Sequence, residues 1–215
     1  MLEWYRISFD LTKLLEETEK LLRFILEEIA ANFDCANVRF PFQKISYKSL
    51  FFNTFSENPH TISLKKLSQL SRRLNIPNIN HSRSEYLDFL FALKIQPKII
   101  TPTFVFDYPV CQAAQAEISV NDEGEKVANR FELFIEGVEL ANAYQELRDS
   151  GELLTRFNDN NAIRRLHGKK EVPVDYQLLE SLPLMPKCGG ASLGIDSLMK
   201  IISGSPDINK FYDTD

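Results

Sequence analysis

The run Arg130-Phe131-Glu132-Leu133-Phe134-Ile135-Glu136-Gly137-Val138-Glu139-Leu140-Ala141-Asn142-Ala143-Tyr144-Gln145-Glu146-Leu147 decides the fold. Two stretches rich in apolar residues flank Glu136-Gly137, and a dipeptide ending in Gly suits a two-residue hairpin because Gly tolerates positive φ. With Glu136 and Gly137 as the turn, Ile135 is expected to face Val138, Phe134 to face Glu139, and Glu132 to face Ala141. Side chains alternate along a strand, so Glu132, Phe134 and Glu139 are expected on one face of the sheet. Two carboxylates so placed repel unless a proton or cation lies between them. Such oxygen ligands suit Mg²⁺ bridged to substrate phosphates. Spacing alone favours a solvent-exposed acidic face of an antiparallel sheet over a metal site.

Outward from the hairpin, Thr103–Pro109 and Ala116–Val120 read as further strands, with a turn at Asn121–Gly124. Residues 2–9 read as a strand, and Asp10 as the N-cap of a long amphipathic helix. Leu14, Leu15, Thr18, Leu22 and Ile25 lie along its apolar face. Residues 45–98 change character: short helical patterns are broken by Pro59, Pro77 and Pro97, which predicts a small helical insertion between strands of a larger sheet. Ser150 is expected to cap a helix ending at Gly168, Asp175 to cap a short one, and Gly204 to end the last.

Composition narrows the function classes. A net charge of −5 argues against a large nucleic-acid footprint. Cys35, Cys111 and Cys188 are scattered, as are His60, His81 and His167, so no structural zinc site can be drawn. The sparse, odd cysteine count fits a reducing cytoplasm, which is the expected location. No stretch is long and apolar enough for a membrane span, and the first residues lack a signal-peptide layout.

The quoted run resembles the corresponding stretch of the class II lysyl-tRNA synthetase family. It is most similar to the family's short paralogues, the ligases that lysylate elongation factor P. The resemblance extends over residues 1–215. Leu2-Glu3-Trp4-Tyr5-Arg6 looks like the downstream end of motif 2, and Gly190–Leu198 like motif 3. Pro102–Val105, Tyr108-Pro109 and Gln112-Ala113 match the strand between them. Four separated segments in the right order make a far more specific signal than any one motif. The implied fold is α+β, a class II synthetase-like antiparallel sheet with flanking helices, N-terminally incomplete and carrying the helical insertion.

The resemblance also implies roles. Glu132 and Glu139 match carboxylates that hold Mg²⁺ against ATP phosphates, while Gly194 and Ser197 fall at ATP-binding positions of motif 3. Asn142 matches an amide that binds the amino acid's carboxylate. Glu146, with Glu3 as a second acid, matches the partner of a lysine side-chain ammonium, and Tyr5 and Tyr144 match aromatic pocket walls. A buried ammonium needs paired carboxylates, and flat aromatic faces suit its methylene stem and its charge.

Departures from the pattern bear on catalysis. The chain starts at the tail of motif 2, so motif 1 and the motif 2 arginine that grips the ATP α-phosphate are expected to be missing. The motif 3 arginine is Ser197, which brings no positive charge and no bidentate contact. Ala143 stands where the family usually has Gly, and Ala114 replaces a Ser; both are expected to narrow or alter the pocket.

Several readings follow. One is a ligase that activates lysine or β-lysine with ATP and transfers it to elongation factor P, inactive or impaired alone and needing an N-terminal fragment. Others are a non-catalytic paralogue that binds an amino acid or a partner, a fragment of a lysyl-tRNA synthetase, and a decaying gene product. A tRNA is not an expected partner, and no homodimer is expected without motif 1.

Overall fold

The hairpin that turns at Glu136-Gly137 anchors a seven-stranded sheet in the computed structural model, which describes residues 1–29, 38–75 and 82–204. Cys35, Pro77 and His81 lie outside the described residues. The strands are β1 (Leu2–Ile7), β2 (Gln43–Ser46), β3 (Thr103–Pro109), β4 (Ile118–Val120), β5 (Lys126–Ile135), β6 (Val138–Gln145) and β7 (Cys188–Leu193). Their order is β1-β7-β6-β5-β3-β2, with β4 paired to β5, and every pair is antiparallel except β2 with β3. The α+β architecture inferred from the sequence is therefore present.

The hairpin turns where expected, with Glu136 at φ 52° and Gly137 at φ 74°, both in the left-handed region a tight hairpin requires. Its register differs from a simple ladder. Ile135 pairs with Val138 and Phe134 with Glu139, but Glu132 pairs with Asn142, not Ala141, because Leu140 is an extra residue in β6. Leu140 and Ala141 are consecutive and both buried in the core shared with helix α1 (Leu11–Ile29). This β-bulge makes two residues oppose one, and so places Glu139 and Asn142 on the same face despite their odd spacing.

One face of the sheet is covered by α1 and by α7 (Ile195–Ser203), through Phe104, Phe131, Leu133, Leu193 and their neighbours. Asp10 caps α1 as its sequence predicts, its Oδ1 accepting from the Lys13 amide at 2.8 Å. The strand β1 is held to α1 by Glu17, whose carboxylate accepts from Trp4 Nε1 at 2.9 Å and from Arg6 Nε at 2.8 Å. Trp4 and Arg6 thus turn toward α1, and alternation sends Glu3 and Tyr5 to the opposite face.

That opposite face is only half covered. Helices α2 (Tyr47–Phe55), α3 (Leu64–Arg73) and α4 (Arg83–Lys94) pack on the β3–β5 side, around Tyr47, Phe51, Leu87, Leu90 and Phe134. The segment just before them, Gln43–Ser46, is an edge strand parallel to β3, so Ile45 and Ser46 belong to the sheet and not to the helices. The helix α5 (Ser150–Leu166) is capped by Asp149, whose Oδ1 accepts from the Glu152 amide at 2.9 Å; Ser150 is its first residue. The helix α6 (Tyr176–Ser181) is capped by Asp175 and packs with α5 in a separate small core. Over β6, β7 and β1 the sheet face is left open as a floor.

Candidate functional site

The register writes the site in rows across that floor. In one row Glu3 pairs with Ser192, Ser192 with Asn142, and Asn142 with Glu132. In the next, Tyr5 pairs with Gly190, Gly190 with Tyr144, and Tyr144 with Arg130. Glu3, Tyr5, Asn142, Tyr144 and Glu146 line a single cavity of about 100 Å³ together with Gly190, Ala191 and Ser192. Four of the five come from strands, which hold side chains more firmly than loops do; Glu146 follows directly on β6 and bridges to Ala116.

Gly190 has a specific reason to lack a side chain. A Cβ built on it would lie 2.2 Å from Glu146 Oε1 and 2.8 Å from Tyr5 Cε1, so the acid and the aromatic meet over bare backbone. Burial pushes the Glu146 carboxyl up to about 7. Burial, followed by the charges of Glu146 and Glu3, also raises the Tyr5 phenol. The same causes, burial first and then Glu146, raise Tyr144. A carboxylate held this far above its usual range gains most from a cation as partner.

Next to this cavity is a second, of about 200 Å³, lined by Glu132 and Glu139 with Asp88, Tyr108, Gln112 and Arg130 among others. Arg130 is the single cation among its lining residues, against three carboxylates. Glu132 accepts from the Arg130 guanidinium and, at 2.7 Å, from the Tyr108 hydroxyl. Tyr108 reaches this face because β3 is irregular at Asp107, whose φ is 56°. Glu139 keeps solvent contact at the mouth, yet crowding by protein and then the charge of Glu132 push its carboxyl up to about 7, against the pull of Arg130. Two hard oxygen donors repelling across one cavity fit a divalent cation that takes its remaining ligands from phosphate and water. Among the described residues no group of three or more Asp, Glu, His or Cys is placed to hold a metal by itself.

Gly194 and Ser197 line neither cavity. They sit where β7 passes into α7: the Gly194 amide donates to the Leu140 carbonyl at 2.8 Å, and Ser197 lies in the first turn of the helix. Ala143 also departs from expectation. It is fully buried in the α1-side core, paired with Phe131 and Ala191, so its methyl group does not enter the pocket. Ala114 lines a different cavity, beside α5. Sequence reasoning gave no role to Arg130, Tyr108, Gly190 or the pocket position of Ser192; the signal available was the register, once the bulge is counted.

A family model for class II tRNA synthetases (D, K and N) matches residues 1–212. The chain belongs to this family. Among curated relatives it is 38% identical, over 216 residues, to the elongation factor P–(R)-β-lysine ligase of Vibrio cholerae, a match covering 98% of this chain and 63% of the relative. It is 36% identical over 215 residues to the ligase of the same name from Photorhabdus laumondii, with 97% and 62% covered, and 36% identical over 216 residues to that of Vibrio parahaemolyticus. The chain thus spans a little under two thirds of the length of these class II relatives. No helix among the described residues is long and apolar enough to cross a membrane.

Proposed function

We propose that this class II synthetase-family chain carries the amino-acid pocket of a ligase that activates lysine or β-lysine with ATP for transfer to elongation factor P, and that it forms the adenylate poorly or not at all by itself. The observation that carries the reading is the polarity of the small cavity. Glu146 stands at one end, Asn142 toward the other in one row with Ser192 and Glu3, and Tyr5 and Tyr144 form the row between them. Asn142 and Glu146 are four residues apart, a rise of about 13 Å along a strand. Shortened at both ends by side-chain reach, this matches an extended lysine. The side-chain ammonium goes to Glu146, where ion pairing relieves that carboxylate's burial. The carboxylate goes to Asn142, next to Glu132 and therefore next to the second cavity.

There, Glu132 and Glu139 would hold Mg²⁺, which when bound supplies positive charge against ATP phosphates. Arg130 and Tyr108 keep Glu132 in place. Adenylate formation also needs cationic groups aimed at the phosphates. At the motif 3 position that serves this purpose in the family, the chain presents the Ser197 hydroxyl. Such a clamp is worth about 3 to 4 kcal/mol of transition-state stabilisation.

Ser197 also favours a second reading, a paralogue that binds an amino acid without activating it. Lysine-dependent ATP–pyrophosphate exchange separates the two. The chain alone is expected to show none while still binding lysine; clear exchange would refute the impaired-catalysis part of the proposal.

A further inference from the structure

Arg130 is 8% exposed and lines the larger cavity, and its guanidinium bonds both Glu132 of that cavity and Asn142 of the small one. One guanidinium nitrogen, Nη1, donates to the Gln112 carbonyl at 2.7 Å. The other, Nη2, donates to Glu132 and, at 3.3 Å, to the side-chain oxygen of Asn142. The guanidinium stacks over the Tyr108 ring at 4.6 Å from its centre, and that ring's hydroxyl also bonds Glu132. Gln112 is fixed in turn by Asp88, whose Oδ1 accepts from Gln112 Nε2 at 2.5 Å.

Arginine can only donate hydrogen bonds, so the Asn142 atom facing it has to be oxygen. This leaves Nδ2, with its hydrogens, as the group Asn142 can offer the small cavity. A free asparagine amide has no such preference; rotated by a half turn it would present oxygen and repel a carboxylate. From this geometry we infer that Arg130 is the positioning residue that sets the Asn142 amide for carboxylate recognition, and so makes the pocket select amino acids over plain amines. The inference rests on the amino-acid pocket proposed above and deepens it. It assigns the recognition of the carboxylate to a buried fork beneath the floor, and gives Arg130 no contact with the ligand.

The test is calorimetric titration of the full chain with lysine and with cadaverine, which has lysine's carbon chain and amines but no carboxylate. Wild type is expected to prefer lysine. In Arg130→Gln the lysine affinity should fall about tenfold to a hundredfold, while cadaverine affinity changes little, because hydrogen bonds to a charged group are lost at one end only. Arg130→Lys guards against failure to fold: it keeps a positive charge beside Glu132 but cannot span Glu132, Asn142 and the Gln112 carbonyl together. It too should lose the lysine-over-cadaverine preference. A merely structural role would lower both affinities in parallel and leave their ratio intact, and that result overturns the inference while leaving the pocket standing. Wild-type chain that binds neither ligand overturns the pocket reading and this inference with it.

Discussion

Glu132 and Asn142 stand directly opposite each other across the β5–β6 ladder, and the Arg130 guanidinium is bonded to both side chains. This pair joins the two cavities. On one side Asn142 faces the small pocket with Glu3 and Glu146; on the other Glu132 faces the larger one with Glu139. An activated amino acid has its carboxylate at just such a junction between amino-acid and nucleotide sites, and the extra Leu140 creates it by moving Asn142 into register with Glu132.

Lysine binding in the proposed pocket is expected to depend on pH. With the Glu146 carboxyl near 7, an incoming ammonium meets a fully ionised partner only at higher pH, so affinity should rise between about pH 6 and 8 and then level off. The linked effect on stability has the opposite sign. Glu146 and Glu139 titrate higher in the folded chain than in the unfolded one, so their contribution is complete below the usual carboxylate range, about pH 4.5, and is lost as pH rises through about 7. Thermal melts without ligand should fall in midpoint across that window. Saturating lysine should shrink the fall, and Glu146→Gln should remove part of it.

Gly190→Ala tests the close approach over the β7 backbone. The new methyl group would displace the ends of two side chains, Glu146 and Tyr5, both able to swing away, so the fold should survive with a cost of about 1 to 3 kcal/mol. Lysine binding should suffer far more, because the acid and the aromatic wall move together. Comparison of a denaturation midpoint with lysine affinity checks this; binding that stays intact would show that Gly190 has no part in shaping the pocket.

Glu17→Ala acts from the other side of the sheet. It removes the acceptor for both Trp4 Nε1 and Arg6 Nε, which tie the edge strand β1 to α1. Stability should drop by about 1 to 3 kcal/mol for the lost bonds to a charged group. Lysine affinity should fall as well, though Glu17 lies on the opposite face, because Glu3 and Tyr5 depend on β1 for their position. Amide hydrogen exchange should show the loosening confined to β1.

Much of this arrangement was legible in the sequence. The Glu136-Gly137 turn, the strand Thr103–Pro109, the Asp10 and Asp175 caps and the apolar face of α1 follow from local rules that tertiary contacts did not override. The five residues that a family resemblance assigned to a lysine pocket line one cavity. Other features were hidden. Strand β2 is four residues long and lies in a parallel edge pair, too short for its alternation to stand out. The bulge shows only as two adjacent apolar residues, Leu140 and Ala141, where alternation calls for one. Ala143 was misjudged because its family position suggested the pocket, whereas strand alternation from Asn142 sends it into the core. Asp149 and Ser150 are both good caps, and which one is used depends on where the chain leaves Glu146. Arg130 gave no sign of its role because its partners, Gln112 and Asn142, are brought to it only by the folded sheet.

The most direct test of the account is calorimetric titration of the chain with lysine at pH 8, in wild type and in Glu146→Gln. The account predicts saturable binding by wild type and a loss of about tenfold or more in the variant, with the fold unchanged by circular dichroism. Absence of heat from wild type at millimolar lysine, or equal binding by the two proteins, would contradict it.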